Sequence, residues 1–296
     1  MSDPTLFDTY RAYLFAIAYR MLGSVMDAED MVQEAYLRWQ KASPVQIESP
    51  KSWLATIITR LCLDFLRSAR VQRESYVGPW LPEPLPTSAA SEETAVSTEG
   101  AIILSESISI AFLVLLENLS PTERAVYLLR EVFDYGYADI ARMVNKSEAA
   151  CRQLVRRAKQ HLQTHRPRYA ASAEASQQLT AEFFQACTDG DAAKLFSLLA
   201  EDVVEWSDGG GKVHAARKPI IGRDKVARFM LGLARQAPPG IVPQFTVFNG
   251  QPGVIIYVDG RPFTVIVLEI VNNQIQNIYS VVNPDKLRHI PDLNSA

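Results

Sequence analysis

The stretch Tyr137-Ala-Asp-Ile-Ala-Arg-Met-Val144, Asn145-Lys146, Ser147-Glu-Ala-Ala-Cys-Arg-Gln-Leu-Val-Arg-Arg157 decides how this chain is read. Its apolar residues recur at helical spacing on both sides of a polar Asn-Lys turn, which predicts two helices meeting at an angle. Ala141 lies where they cross, and its small side chain permits close approach. Ser147 is the expected cap of the second helix, with Glu148 in the first turn favouring the positive end of the macrodipole. Cys151, Val155, Ala158 and Leu162 stand at i, i+4, i+7 and i+11, one stripe for burial. Cys151 is therefore a packed small residue rather than a reactive thiol. Ala149, Arg152, Gln153, Arg156 and Arg157 then point outward, next to Lys146 and Ser147 at the turn. Small residues at a helix tip with Arg and Gln behind them suit entry into a DNA major groove. An ordinary helical hairpin with a solvated basic face has the same periodicity.

The charge around this stretch is uneven. Residues 120–168 hold ten Lys/Arg against five Asp/Glu, whereas residues 76–119 hold six acidic residues and no basic one. Residues 1–75 balance at nine of each, and residues 169–296 hold eleven basic against thirteen acidic. The whole-chain net charge of −3 hides this local basic footprint, which points to nucleic acid.

Further out, residues 6–71 read as helices joined by short turns. In residues 26–41, Ala28, Met31, Val32, Ala35 and Trp39 are helically spaced. Asp27, Asp30 and Glu34 form one acidic stripe at i, i+3 and i+7, continued by Arg38. That stripe is either a docking face or acidic residues stabilising a first helical turn. Ser49-Pro50 reads as a cap followed by proline at the first helical position. The helix it opens has Leu54, Ile57, Ile58, Leu61 and Phe65 on a buried stripe, with Thr56, Thr59, Arg60 and Asp64 on the other side. Four prolines between Pro79 and Pro86, then a Ser/Thr/Ala/Glu stretch, predict a flexible acidic linker over residues 76–104. Trp80 and Leu81 are apolar within it, so part of it is expected to dock on something. Helical periodicity resumes at Ile102 and ends near His165.

Residues 174–296 read as an α+β domain. Helices are expected over residues 179–188, 192–199 and 223–235, and strands over 203–207, 212–217, 242–248, 253–258, 262–271 and 274–282. The 296 residues imply two or three compact units. No apolar run approaches the roughly 18 residues that span a bilayer, the first eleven residues have no basic segment of a secretory signal, and three scattered cysteines give no disulfide or zinc pattern. A reducing cytoplasm is the expected setting.

Motifs then carry a resemblance. Tyr19-Arg-Met-Leu-Gly-Ser, Asp27-Ala-Glu-Asp-Met-Val-Gln-Glu34 and Pro50-Lys-Ser-Trp-Leu-Ala-Thr-Ile resemble region 2 of bacterial extracytoplasmic-function sigma factors. Leu119-Ser-Pro-Thr-Glu-Arg124 through Leu162 resembles region 4. Trp80-Leu-Pro-Glu-Pro84, Asp208-Gly-Gly-Gly-Lys212 and Asn283-Pro-Asp-Lys-Leu287 resemble the subgroup with a fused SnoaL-like domain. The resemblance implies two all-α domains, region 2 (residues 1–75) and a region 4 helix-turn-helix (105–168), followed by a cone-shaped α+β domain with a curved mixed sheet. It implies that Asp27, Asp30, Glu34 and Arg38 bind core RNA polymerase. Lys51, Trp53, Thr56 and Arg60, with Ser43 and Ser52 nearby, would help open the −10 element, although Trp53 alone suits a core position. Thr59-Arg60 stands where many relatives carry Asn. Lys146, Ser147, Ala149, Arg152, Gln153, Arg156 and Arg157 would read the −35 element.

For the C-terminal domain, the resemblance implies regulation in cis through an intramolecular contact with the linker and region 2. Trp80, Leu81, Glu83, Asp208, Lys212, Asn283, Asp285 and Lys286 are the residues concerned, with Lys212 or Lys286 facing Glu83 across a damp interface. No cofactor, metal or membrane is expected. The rival reading is an isomerase- or cyclase-type enzyme, or a ligand sensor, fused to a DNA-binding module, with Glu205, Asp208, His214, Asp259 and Tyr279 as candidate acid–base groups. A helix-turn-helix regulator acting without polymerase is a third.

Overall fold

The computed structural model describes residues 4–42, 47, 49–74, 76–87, 108–163 and 173–293. The chain divides into two compact units: residues 1–75 with 112–166, and residues 76–111 with 167–296. The two predicted helical regions thus share one unit, and the described part of the linker belongs with the C-terminal domain.

In the first unit α1 (Pro4–Leu22), α2 (Val25–Lys41) and α3 (Pro50–Glu74) pack through Leu14, Ile17, Tyr19, Ala28, Val32, Leu54 and Ile58. The starts of α2 and α3 have their chemical reason. Ser24 Oγ accepts the Asp27 N–H at 3.1 Å, and Ser49 Oγ accepts that of Ser52 at 3.4 Å. Helices α4 (Ile110–Leu116), α5 (Pro121–Glu131), α6 (Tyr137–Val144) and α7 (Glu148–Gln163) follow. Ser120 and Glu123 form a reciprocal capping box with Pro121 at the first position of α5. Asn145 closes α6 in the left-handed region at φ 54°. Ser147 Oγ accepts the Ala150 N–H at 3.2 Å. The stripe of Cys151, Val155, Ala158 and Leu162 is buried, as the periodicity required. Thr59 corrects the reading of α3. It is fully buried, because α3 packs against α5 and α6 as well as α1 and α2. The expected helical start at Ile102 lies outside the described residues.

In the second unit a six-stranded sheet runs in the order β2-β1-β6-β5-β4-β3, all antiparallel except the β1–β6 pair. The strands are β1 (Leu199–Asp208), β2 (Ile220–Ile221), β3 (Val242–Phe248), β4 (Gln251–Val258), β5 (Arg261–Val271) and β6 (Gln274–Val281). Helices α8 (Ala173–Asp189), α9 (Ala192–Leu198) and α10 (Arg223–Arg235) supply Phe183, Leu195, Val226 and Met230 to a core with Val254, Leu268 and Ile278. This is the α+β architecture that the strand pattern implied, with the mixed sheet that the resemblance implied. One expected strand is absent: at 212–217 the chain turns, the N–H groups of Lys212 and Val213 bonding back to the Gly209 carbonyl.

Candidate functional site

The exposed face of α7 is the first candidate. Lys146, Ser147, Ala149, Arg152, Gln153, Arg156 and Arg157 are all exposed, opposite the buried stripe. Two of the arginines are already held by this unit's own acids. Arg152 pairs with Glu148 at 2.9 Å and lies 4.8 Å from the centre of the Tyr137 ring. Arg157 pairs with Glu123 at 3.3 Å. Both pairs are exposed on the arginine side, so they hold these side chains ready without a large energetic commitment.

On α2, Asp30 and Arg38 are exposed, Asp27 and Glu34 are half-buried, and Glu34 pairs with Arg38 at 2.9 Å. Met26 and Leu37, exposed apolar residues that sequence reading did not single out, flank this stripe.

On α3, Lys51 is exposed with its Nζ 4.7 Å from the Tyr13 ring centre. Thr56 Oγ1 donates to the Ser52 carbonyl at 2.8 Å, and Trp53 is half-buried, its ring 5.9 Å from that of Trp39. Ser43 lies outside the described residues. Lys51, Ser52, Trp53, Thr56 and Arg60 all line one cleft of about 730 Å³, opposite Asp134, Tyr135 and Asp139.

In the second unit, three motifs distant in sequence converge on Asp208, at the end of β1. Its Oδ1 accepts the Tyr76 hydroxyl at 2.6 Å, and its Oδ2 accepts the Leu81 N–H at 2.8 Å and Lys286 Nζ at 2.7 Å. Lys286 also donates to the Leu81 carbonyl and sits 4.0 Å from the Trp80 ring centre, a cation–π contact. Asn283 Nδ2 donates to the Tyr76 oxygen at 2.9 Å. Burial, then the bond to Asp208, raises the Tyr76 hydroxyl pKa above its ordinary 10. Gly210, at φ 57°, is needed here, since a Cβ would lie 2.3 Å from Asn283 Nδ2 and 2.9 Å from the Tyr76 oxygen. Further along, the Leu85 N–H donates to Asn249 Oδ1 and the Thr87 N–H to the Val247 carbonyl, each at 2.9 Å, at the β3 edge.

The expected chemistry at Glu83 needs correcting. Lys212 pairs with Asp285, which holds the Asp285 carboxyl below its ordinary range. Glu83 has His289 Nδ1 at 3.9 Å, while His289 Nε2 lies 2.7 Å from the Pro84 carbonyl. The contact is buried at Glu83, Asp208 and Lys286, which are 7%, 0% and 7% exposed, and open to solvent at Lys212 and Asp285. The notion of a uniformly flexible linker gives way too, because residues 76–87 are bonded in place.

The candidate acid–base residues do not converge. Register puts Glu205 beside Ile278 on the helix-covered face and Tyr279 beside Trp206 on the opposite face. Tyr279 donates to Glu269 Oε2 at 3.2 Å. His214 lies in an exposed turn region and Asp259 in the β4–β5 turn. Glu205 is fully buried, accepts from Ser207 Oγ at 2.6 Å, and has no hydrogen-bond partner for Oε2 among the described residues. Burial pushes its carboxyl up to about 7. No group of His, Cys, Asp and Glu suited to a metal ion occurs among the described residues, and no helix among them is long and apolar enough to cross a membrane.

Comparison with known proteins supplies the family. Residues 6–71 match the model of sigma-70 region 2, and residues 109–162 that of sigma-70 region 4. The ECF RNA polymerase sigma factor SigJ of Mycobacterium tuberculosis is 34% identical, over 96% of this chain and 93% of the relative. This chain belongs to the ECF RNA polymerase sigma factors. The probable sigma factor SigI of the same species is 32% identical over 94% of this chain and 92% of its own length. The crystal structure of M. tuberculosis SigJ matches with a TM-score of 0.76 at 33% identity, covering 96% of this chain and 98% of that one. The sigma factor is thus a promoter-specific initiation factor whose regions 2 and 4 bind RNA polymerase and promoter DNA, and it is not an enzyme.

Proposed function

We propose that the C-terminal domain of this cytoplasmic sigma factor regulates promoter use in cis by anchoring the linker. The observation that carries the reading is the convergence of Tyr76, Leu81 and Lys286 on Asp208. The linker contributes both a side chain and backbone groups to a buried ion pair that it does not itself own. Anchoring shortens the tether between the two DNA-binding regions. Residues 75–109 are 35 residues, with a maximum reach of about 120 Å. With residues 76–87 held, and the Ile108 carbonyl accepting from Asn249 Nδ2 at 2.7 Å next to the Leu85 contact, both ends of the linker are fixed to the second unit and that reach is lost. Elements centred near −35 and −10 lie about 80 Å apart along a duplex. The dock thus acts on the length scale that matters for spanning a promoter.

In the same reading Asp27, Asp30, Glu34 and Arg38 meet core polymerase. Arg152 and Gln153 read the −35 element, Ala149 and Ser147 let the helix tip approach, and Lys146, Arg156 and Arg157 meet phosphates. Lys51, Trp53, Thr56 and Arg60 act on the −10 element. Run-off transcription with purified core enzyme tests these assignments. Arg152→Ala should relax promoter choice by about 1–3 kcal/mol at one position, and Asp30→Lys with Glu34→Lys should abolish core binding. Unaltered promoter choice and core binding in these variants would refute the two faces.

A further inference from the structure

Three helices of region 4 converge on one aromatic ring. Tyr137 opens α6 just after the turn that follows α5, and it is half-buried. That turn is fixed by its own backbone. The Val132 and Phe133 N–H groups donate to the Leu128 carbonyl at 3.0 and 3.1 Å, and the Tyr135 N–H to the Leu129 carbonyl at 2.9 Å. Arg130, in the last turn of α5, donates from Nη1 to the Tyr135 carbonyl at 3.0 Å and pairs with Asp134 at 3.5 Å. Its guanidinium carbon lies 5.3 Å from the centre of the Tyr137 ring. From α7, the Arg152 guanidinium carbon lies 4.8 Å from the same centre, while its Nη2 donates to Glu148 Oε2 at 2.9 Å. The ring thus joins an arginine that the backbone holds to one on the exposed face of α7.

These contacts hold Arg152 without using up its donors. A guanidinium over an aromatic ring offers its face to the π-electrons and keeps its in-plane N–H fork for other partners. Glu148 engages Nη2, and the Arg152 side chain is still 56% exposed. A bidentate contact to guanine needs that fork in one plane at one height. An arginine free to rotate loses rotamer entropy on meeting a base, and one already held between a ring and a carboxylate loses less. Among the described residues, Arg152 is the one arginine of the α7 face with both supports. Arg157 has a carboxylate, Glu123, without a ring.

We infer that Tyr137 is a positioning residue for promoter choice: its ring, braced by Arg130, sets the plane and height at which Arg152 meets the −35 element. Tyr137 acts through Arg152. The face of the ring carries the effect and the hydroxyl does not, so phenylalanine serves in its place, whereas leucine fills similar space with no π-face to offer. The inference rests on the reading of Arg152 at the −35 element and deepens it.

The test uses holoenzyme, the full chain with core RNA polymerase, and run-off transcription from promoters changed one base pair at a time across the −35 element. Arg152→Ala first identifies the position that Arg152 reads, as the base pair whose replacement no longer lowers output. Tyr137→Leu should reduce discrimination at that position by about two- to fivefold, the factor an exposed cation–π contact supplies, and leave the other positions unchanged. Tyr137→Phe should retain the parent's discrimination. Adding Tyr137→Leu to Arg152→Ala should change nothing further there, because ring and arginine act as one unit. If circular dichroism shows that Tyr137→Leu does not fold, Arg130→Met, which removes the brace behind the ring, carries the test and should give a smaller loss at the same position. Discrimination unchanged at that position, or reduced equally at every position, would overturn the inference. Arg152→Ala without effect at any position counts instead against the −35 reading, and the inference falls with it.

Discussion

The linker dock and the arginine contacts between regions 2 and 4 are both built from cations on backbone carbonyls, yet they differ in kind. In the dock, the side chains of Lys286 and Asp208 are 8% and 0% exposed, and Asp208 has three donors. Removing one partner would strand a buried charge, so the dock resists partial opening. Between regions 2 and 4 the two arginines differ: Arg60 is exposed and donates to the Met143 and Arg142 carbonyls, which water can satisfy once it leaves, whereas Arg124 is 3% exposed and donates to the Met21 carbonyl. The difference teaches that burial of the charge, more than the number of hydrogen bonds, sorts the contacts that resist opening, Asp208–Lys286 and Arg124, from the one that water can replace, Arg60.

Asp208→Ala attacks the dock hardest. It should destabilise the second unit by about 3–5 kcal/mol, read by denaturant unfolding, because Lys286 is left buried and unpaired. A loss below 1 kcal/mol would mean the joint is not fixed.

Glu205→Gln sharpens the same point within one strand, since Glu205 has one donor where Asp208 has three. Its folded pKa of about 7 exceeds the ordinary 4.5, so between those values the folded protein binds more protons than the unfolded chain. Stability therefore falls as pH rises through that window, and the neutral amide avoids the fall. At pH 8 the variant should gain about 2–3 kcal/mol over the parent, and near pH 4 nothing. A pH-independent difference would contradict the assignment.

Gly210→Ala should cost about 1–3 kcal/mol through its positive φ and its contact with Asn283 and Tyr76. The matching change between regions 2 and 4 is smaller. Tyr135→Phe, which removes the acceptor of the Tyr13 hydroxyl, should alter stability by about 1 kcal/mol or less, read by denaturant unfolding.

Local chemistry was legible in sequence where it was self-contained. Ser147, Asn145 and the stripe from Cys151 to Leu162 announce the helix-turn-helix, and Trp80-Leu81 announce a docked linker. What stayed hidden depends on contacts across long separations. Thr59 read as exposed because nothing in α3 itself signals a second helical layer. Arg60 read as a DNA-contacting residue and Arg124 only as part of a motif, because their partners are backbone carbonyls 83 and 103 positions away, which carry no residue code. His289, the neighbour of Glu83, lies beyond the motif that drew attention to Lys286, and a turn replaced the strand expected at 212–217 because three glycines precede it.

The central claim is that a fixed dock sets how far apart the two DNA-binding regions act. Run-off transcription from promoters whose −35 and −10 elements are separated by progressively longer and shorter spacers measures this directly, with equal core enzyme and full-length protein. The parent chain should show a narrow spacer optimum, and Lys286→Met, which loosens the anchor, should broaden it or move it. Superimposable spacer profiles for parent and variant would contradict the claim.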